Sequence, residues 1–307
     1  MTEGWYRPRT MAQGRFLLWI AVAGLACCAL PAAAADAPSP TASSESEATR
    51  ELAGSTVIAR SDINATLSAG QAVSIDNPYG DVHVRFGGFE HRIETHAVMQ
   101  EPQDAAAHIA VTPTASDGQP HYDLVARLPA GEVLREGQRL DLSVLLPEGH
   151  ALRVRTEHGA IDVHGVHGDV DAVSVDGNIE LRGIKGVIQA QTSSGSIEAS
   201  LASAPRGSTQ RLATTTGDIR VGVNDRLDAQ LEMTTANQFA TDYSLAITRH
   251  PGEERNKLAR AVIGKKHARL KLESARGEIR LLRRASYTAK GKAPSGEDAE
   301  EEDNDSD

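Results

Sequence analysis

The chain has 307 residues, 40% hydrophobic and 24% charged, which is enough for one sizeable buried core. Aromatic residues make up only 4%, beside 27 Gly and 13 Pro. That excludes a membrane bundle, a coiled coil, a collagen and a disulfide scaffold, and suits short strands joined by tight turns. The net charge of −10 sits largely at the ends: residues 296–307 hold eight acids and no base. The body is left near −2, with no overall field to draw nucleic acid or an anionic membrane toward it.

The first 35 residues read as a signal peptide. Arg7, Arg9 and Arg15 form a basic region, Phe16 to Leu30 an apolar stretch, and Pro31 to Ala35 a run of small residues suited to cleavage after Ala35. At about 15 residues the apolar stretch is shorter than the ~20 a membrane helix needs. An uncleaved anchor and lipidation at Cys27 are the alternatives, though Gly24 stands where a lipoprotein signal carries Leu. Both cysteines, Cys27 and Cys28, lie in this segment, as do Trp5 and Trp19. A chain starting at Asp36 therefore has no disulfide and no Cys-bound metal. It keeps seven aromatics, too few for platforms on which sugars or bases stack. The expected location is the periplasm or cell envelope of a Gram-negative-type bacterium, with no membrane span left after cleavage.

Residues 36–52, rich in Ala, Pro, Ser, Thr and Glu, read as a flexible linker, and residues 289–307 as a disordered acidic tail. Between them, residues 53–288 form the expected folded domain. Apolar and polar residues alternate in Val82-His83-Val84-Arg85-Phe86, in Tyr122–Ala126 and in Leu140–Leu145, the period of half-buried strands. Only Asp104–His108 and Glu253–Val262 tempt a helical reading, and neither is long enough to define the fold.

An internal repeat carries most of the information. Six segments place a glycine two residues before Ile or Val and four before another aliphatic residue, with a polar residue between. Their glycines are Gly80, Gly159, Gly177, Gly195, Gly217 and Gly277. From Gly159 to Gly177 is 18 residues, and from Gly177 to Gly195 is 18 again. Gly168 and Gly186 fall midway and obey the same rule. From Gly195 to Gly217 is 22, which implies an insertion around Pro205-Arg206-Gly207, and an imperfect copy follows with Asn237 at the turn.

This periodicity predicts an all-β fold, a β-solenoid or β-helix-like stack of about 18-residue coils. Each coil holds two strands and two glycine corners, with coils about 4.8 Å apart. Ile161, Ile179, Ile197 and Ile219 form one interior ladder; Val163, Leu181, Ala199 and Val221 form another beside it. The glycines supply either positive φ or room for stacked backbones. Ser and Thr near the corners (Thr192, Ser193, Ser194, Thr214, Thr215, Thr216) pair with their equivalents one coil away. Residues 57–147 lack the period and read as a less regular β region capping the N-terminal end.

In Ser74-Ile75-Asp76-Asn77 with Gly80–Val84, Leu145-Leu146-Pro147-Glu148-Gly149, Ser193–Ile197, Phe239–Tyr243 and Gly277–Leu281, taken in order, the chain resembles the bacterial β-strand-repeat "putative adhesin" domain family. The resemblance spans Val57 to Arg284. It implies a solenoid-like stack in an exported or membrane-tethered protein, with neither an established activity nor an established ligand. Gly264-Lys265-Lys266 departs from the family's more glycine-rich loop.

Chemistry is sparsely signalled. Asp169 and Asp171 share parity, and Asp162, Glu180 and Asp218 also point outward. With Arg153 or Arg155 nearby they resemble the acids of pectate-lyase-type β-helices that bind Ca²⁺. His158, His164 and His167 are weak candidates for a zinc or copper site. Phosphate loops, dinucleotide loops, nucleophile elbows and His-Glu-x-x-His are absent from the sequence. The function expected is therefore non-enzymatic and needs no cofactor: an envelope scaffold or adhesin-like interaction module for a protein or surface partner. The alternatives are a glycan-binding or lyase-like β-helix and a His-based metal-binding module.

Overall fold

The computed structural model describes residues 49–53, 56–89, 91–105, 107–114, 121–224 and 227–284. The expected signal peptide, the acidic tail and most of the linker lie outside the described residues. All regular elements in the described residues are strands. The N-terminal region supplies β1 (Thr49–Ala53), β2 (Thr56–Thr66), β3 (Ala72–Asp76), β4 (Val82–Phe86), β5 (Arg92–Pro102), β6 (Ala110–Thr114), β7 (His121–Arg127) and β8 (Arg139–Leu146). The regular middle follows as β9 (Leu152–Thr156), β10 (Ile161–His164), β11 (Val170–Ser174), β12 (Ile179–Arg182), β13 (Ile188–Thr192), β14 (Ile197–Leu201), β15 (Thr209–Thr214) and β16 (Ile219–Val223). The C-terminal region adds β17 (Ala229–Thr235), β18 (Phe239–Thr241), β19 (Ala246–Arg249), β20 (Lys257–Ile263), β21 (Ala268–Ser274) and β22 (Ile279–Arg283).

These strands make two eleven-stranded sheets. One runs β1-β2-β5-β8-β4-β10-β12-β14-β16-β22-β18, the other β19-β20-β17-β21-β15-β13-β11-β9-β3-β7-β6. In the middle, successive strands alternate between sheets and pair in parallel with the strand one coil away. Period-2 alternation explains why both sheets share one core: every second residue points inward, so each short strand buries two or three aliphatics. The first expected ladder is present: Val82, Ile161, Ile179, Ile197, Ile219 and Ile279 are successive register partners, each at most 1% exposed. Val84, Val163, Leu181, Ala199, Val221 and Leu281 form the second.

The corner glycines answer a question left open by periodicity. Gly80, Gly159, Gly177, Gly195, Gly217 and Gly277 do not need positive φ; they need space. A Cβ on Gly159, Gly177, Gly195, Gly217 or Gly277 would lie 1.6–2.0 Å from the carbonyl oxygen of the preceding glycine in the column, and one on Gly80 2.1 Å from the Leu140 oxygen. At the opposite corner Gly168 and Gly186 are confined in the same way, by the oxygens of His150 and Gly168. Gly165 and Gly183, also 18 residues apart, supply the positive φ, at 76° and 68°.

Three residues before each corner glycine stands a buried Asn, Ser or Thr. Thr156, Ser174, Thr192, Thr214 and Ser274 each donate their hydroxyl to the glycine carbonyl of the preceding coil. From Ser174 onward the same oxygen accepts the N–H of its own coil's glycine. Thr192 and Thr214 therefore bond to backbone, not to their side-chain equivalents as the sequence suggested. Ser174→Ala removes bonds of 3.2 Å and 2.8 Å at a residue 2% exposed. It is expected to cost about 1–3 kcal/mol in chemical denaturation, because two backbone groups lose their partner without gaining water.

Chain order and spatial order part company at both ends. Beyond β15 and β16 the next coil in space is β21–β22, and β17–β18 lies outside it. At the other end β7–β8 lies outside β3–β4. The copy around Asn237 is thus two coils from Gly217, with the Gly277 corner between them. The N-terminal region is also more regular than expected, since it contributes two coils. Antiparallel strands finish the ends: β5, β2 and β1 extend one sheet, and β6, β20 and β19 the other. Pro113 in β6 and the three-residue β18 blunt two of the edges.

Two local expectations are corrected. Residues 49–52, expected in the linker, belong to β1, paired with β2. The stretch 253–262 is not helical: its second half is β20, recruited by pairing with β17 and burying Ala259 and Ala261. Alternation and tertiary pairing override helix propensity there. In the departing loop, Lys266 itself adopts φ 64°, the left-handed backbone usually left to glycine.

Tyr122 on β7 is fully buried and its hydroxyl has no hydrogen-bond partner among the described residues. Burial pushes its pKa from 10 up to about 12. The neutral form is the one the fold accepts, so its contribution is complete below pH 10 and fades as pH rises toward 12. A loss of about 2–3 kcal/mol is expected over that window in unfolding curves. Tyr122→Phe is expected to remove this step without loss of stability at neutral pH.

Candidate functional site

The outward positions of each coil fall into rows as regular as the core. On the sheet that contains β10, Asp162, Glu180 and Glu198 are register neighbours, so three like charges stack on adjacent strands. The next outward row, Arg85, His164 and Arg182, lies beside them. Arg85 donates to both Asp162 oxygens, at 2.9 and 2.6 Å, and Arg182 pairs with Glu180 and with Glu198. Burial pushes the Asp162 carboxyl up, but the Arg85 hydrogen bonds and charge outweigh it, so its pKa lies below the ordinary value. These acids are held in ion pairs across coils, the arrangement of a satisfied charged face.

On the other sheet, Ser74, Arg153, Asp171, Gln189 and Arg211 form one outward row. A shallow recess of about 310 Å³ lies over its N-terminal part, where Ser74, His121, Arg153, Asp169, Asp171 and Gln189 supply the polar lining. Arg153 pairs with Asp171 at 3.1 Å. Asp169 shares its parity but is occupied at the corner, where it accepts the Val187 N–H at 2.8 Å. Asp218 likewise accepts the Glu278 N–H at its own corner. Of the acids read as outward pairs, Asp171 faces the recess beside a cation, and no Phe, Tyr or Trp lines it.

The three histidines are not brought together. His158 sits 3.2 Å from Asp176. His167 contacts Glu148 at 2.9 Å and stacks on Phe86 with ring centroids 4.8 Å apart. His164 lies in the outward row between Arg85 and Arg182. Among the described residues no group of three or more His, Cys, Asp or Glu is placed to hold a metal ion. Residues six and three apart along the chain here have a corner of the coil between them.

Some interactions at the corners escaped the sequence reading. Arg139 bridges Asp81 and Asp141, and those acids accept the backbone N–H groups of Ala160 and Asp81. Gln210, 2% exposed, accepts the Ile188 N–H where the insertion at 202–208 interrupts the glycine column. The alternating pattern marked neither, because each of these bonds to a backbone N–H joins residues at least 22 positions apart.

Residues 130–249 match the family model Toastrack DUF4097. That stretch of the chain is thus similar to a Toastrack domain. The matched span covers β8 to β19 and so includes all the regular coils of the middle. Two solved structures are similar to the chain over most of its length. One is described as a "putative cell adhesion protein" from Clostridium sporogenes ATCC 15579, 9% identical, covering 73% of this chain and 99% of that one with a TM-score of 0.40. The other is a "putative adhesin" from Bacteroides fragilis NCTC 9343, 11% identical, covering 72% and 96% with a TM-score of 0.35. No curated protein matches the chain. Among the described residues no helix is long and apolar enough to cross a membrane.

Proposed function

We propose that this protein is a non-enzymatic interaction or scaffold module that engages a protein or surface partner in the bacterial envelope. The observation that carries the reading is the state of its outward rows. In the middle coils they are continuous, with acids and bases paired to one another. A lyase-like site needs acids free to bind a cation or move a proton. Here Asp169 is tied to its corner and Asp171 to Arg153. Such ladders instead suit recognition by side-chain rows or by added strands. The basic, apolar and small-residue run over 1–35 supports export.

Site-specific photo-cross-linking in intact envelopes tests this, with the probe at Gln191 or Glu198 on opposite faces. A discrete protein adduct that persists in Arg153→Ala and Asp171→Ala supports the module. Release of unsaturated uronate from acidic polysaccharide, lost in the same two variants, would replace it with the lyase reading favoured by the recess. N-terminal sequencing of the exported protein is expected to begin at Asp36; an intact Met1 would contradict export by cleavage.

A further inference from the structure

The body is nearly neutral in sum but strongly polarised along the stack. Residues 56–204 hold twenty Asp and Glu against ten Lys and Arg, whereas residues 205–284 hold nine against sixteen. The second group builds β15 to β22, so the excess cations gather on the C-terminal coils. Several form no ion pair among the described residues. Several acids of this region are already engaged: Glu273 with Arg211 and Arg255, Glu232 with Arg260, and Asp228 with His267. Left over are Lys265 and Lys266 in the turn before β21, and Arg269 and Lys271 on its outward face, none with an ion pair among the described residues. Arg206 joins them at the same corner, 2.9 Å from His267.

The end of the described chain lies beside this surface. Arg283 on β22 is the register partner of Val223 on β16. Five residues further along the chain from Val223 is Asp228, whose carboxylate accepts the Lys265 N–H at 2.8 Å and pairs with His267. Residues 285–295 separate that exit from the run 296–307, which holds eight acids and no base. At about 3.3–3.6 Å per residue, eleven residues reach about 37 Å, enough to lay the run over the outward face of β21.

We propose that the acidic run Gly296–Asp307 is the occupant of the basic surface formed by Arg206, Lys265, Lys266, Arg269 and Lys271. The tail is a tethered polyanion that covers the cationic end of the solenoid. Tethering holds it there at high effective concentration, so weak individual pairs suffice. The contact is one that salt weakens. It is independent of which partner the outward rows engage.

The test uses the full chain and a full chain whose eight tail acids, Glu297 to Asp307, are changed to Gln or Asn. Amine acylation read by mass spectrometry is expected to rise severalfold at Lys265, Lys266 and Lys271 when the tail is neutralised, with Lys185 in the N-terminal half as the unchanged reference. A synthetic peptide of residues 285–307 is expected to bind the neutralised chain at low salt. Its affinity should fall about tenfold or more in Lys265→Glu/Lys266→Glu/Arg269→Glu/Lys271→Glu and in about 1 M salt, where the screening length shrinks to ~3 Å. Equal acylation in both chains, or peptide binding that ignores the four reversals, would overturn the proposal. So would a neutralised chain that ignores the peptide but self-associates, which would make the acidic end of a second copy the occupant.

Discussion

Gly177→Ala is expected to destabilise the fold by about 4 kcal/mol or more, or to prevent folding. The added Cβ would sit 1.6 Å from the Gly159 carbonyl oxygen, itself held by the Ser174 hydroxyl. No rotamer relieves a backbone clash, and moving one corner moves the coils on either side. For a domain of this size each kcal/mol lowers the melting temperature by about 2–4 °C, so a fall of about 8 °C is the minimum expected. The control is Gly149→Ala. That glycine has φ 86° and open space around its Cβ position. Alanine there costs only the left-handed backbone, about 1–2 kcal/mol. Equal melting temperatures for the two variants would show that the corner column does not stack as described.

Ile179→Ala carries the second large effect. Ile179 is 1% exposed between Ile161 and Ile197, and its loss opens a cavity flanked by two unyielding neighbours. A cost of about 3–4 kcal/mol is expected in urea unfolding. Glu180→Ala, one residue on and facing outward, is expected to change stability by about 0.5 kcal/mol or less, since its pair with Arg182 is half exposed. A reversed order would place Ile179 outside the core.

The ladders were legible because they are local. A parallel coil repeats its residue pattern at the coil length, so the 18-residue recurrence of glycine and isoleucine is the register written along the chain. The glycine column was legible for the same reason, although sequence alone left two roles for it and the close approach proved to be the operative one. What periodicity does not carry is the order in which coils are laid down. The strand pair β21–β22 obeys the same pattern as β17–β18, and nothing in either motif says which stacks on β16. That choice is made by pairings 57 or more residues apart, such as Ser274 with Gly217. The histidines show the same limit at a smaller scale, since proximity in sequence across a corner is not proximity in space.

Disulfide mapping in double-cysteine variants tests the stacked order most directly. Arg220, Arg280 and Ala240 are successive outward partners on β16, β22 and β18, and the chain's own cysteines lie at positions 27 and 28. Neighbouring parallel strands are about 4.8 Å apart, within the Cα separation a disulfide accepts. Cysteines at 220 and 280, and at 280 and 240, are predicted to oxidise to intramolecular bonds, and those at 220 and 240 to stay reduced. A bond between 220 and 240, with none between 220 and 280, would contradict the account.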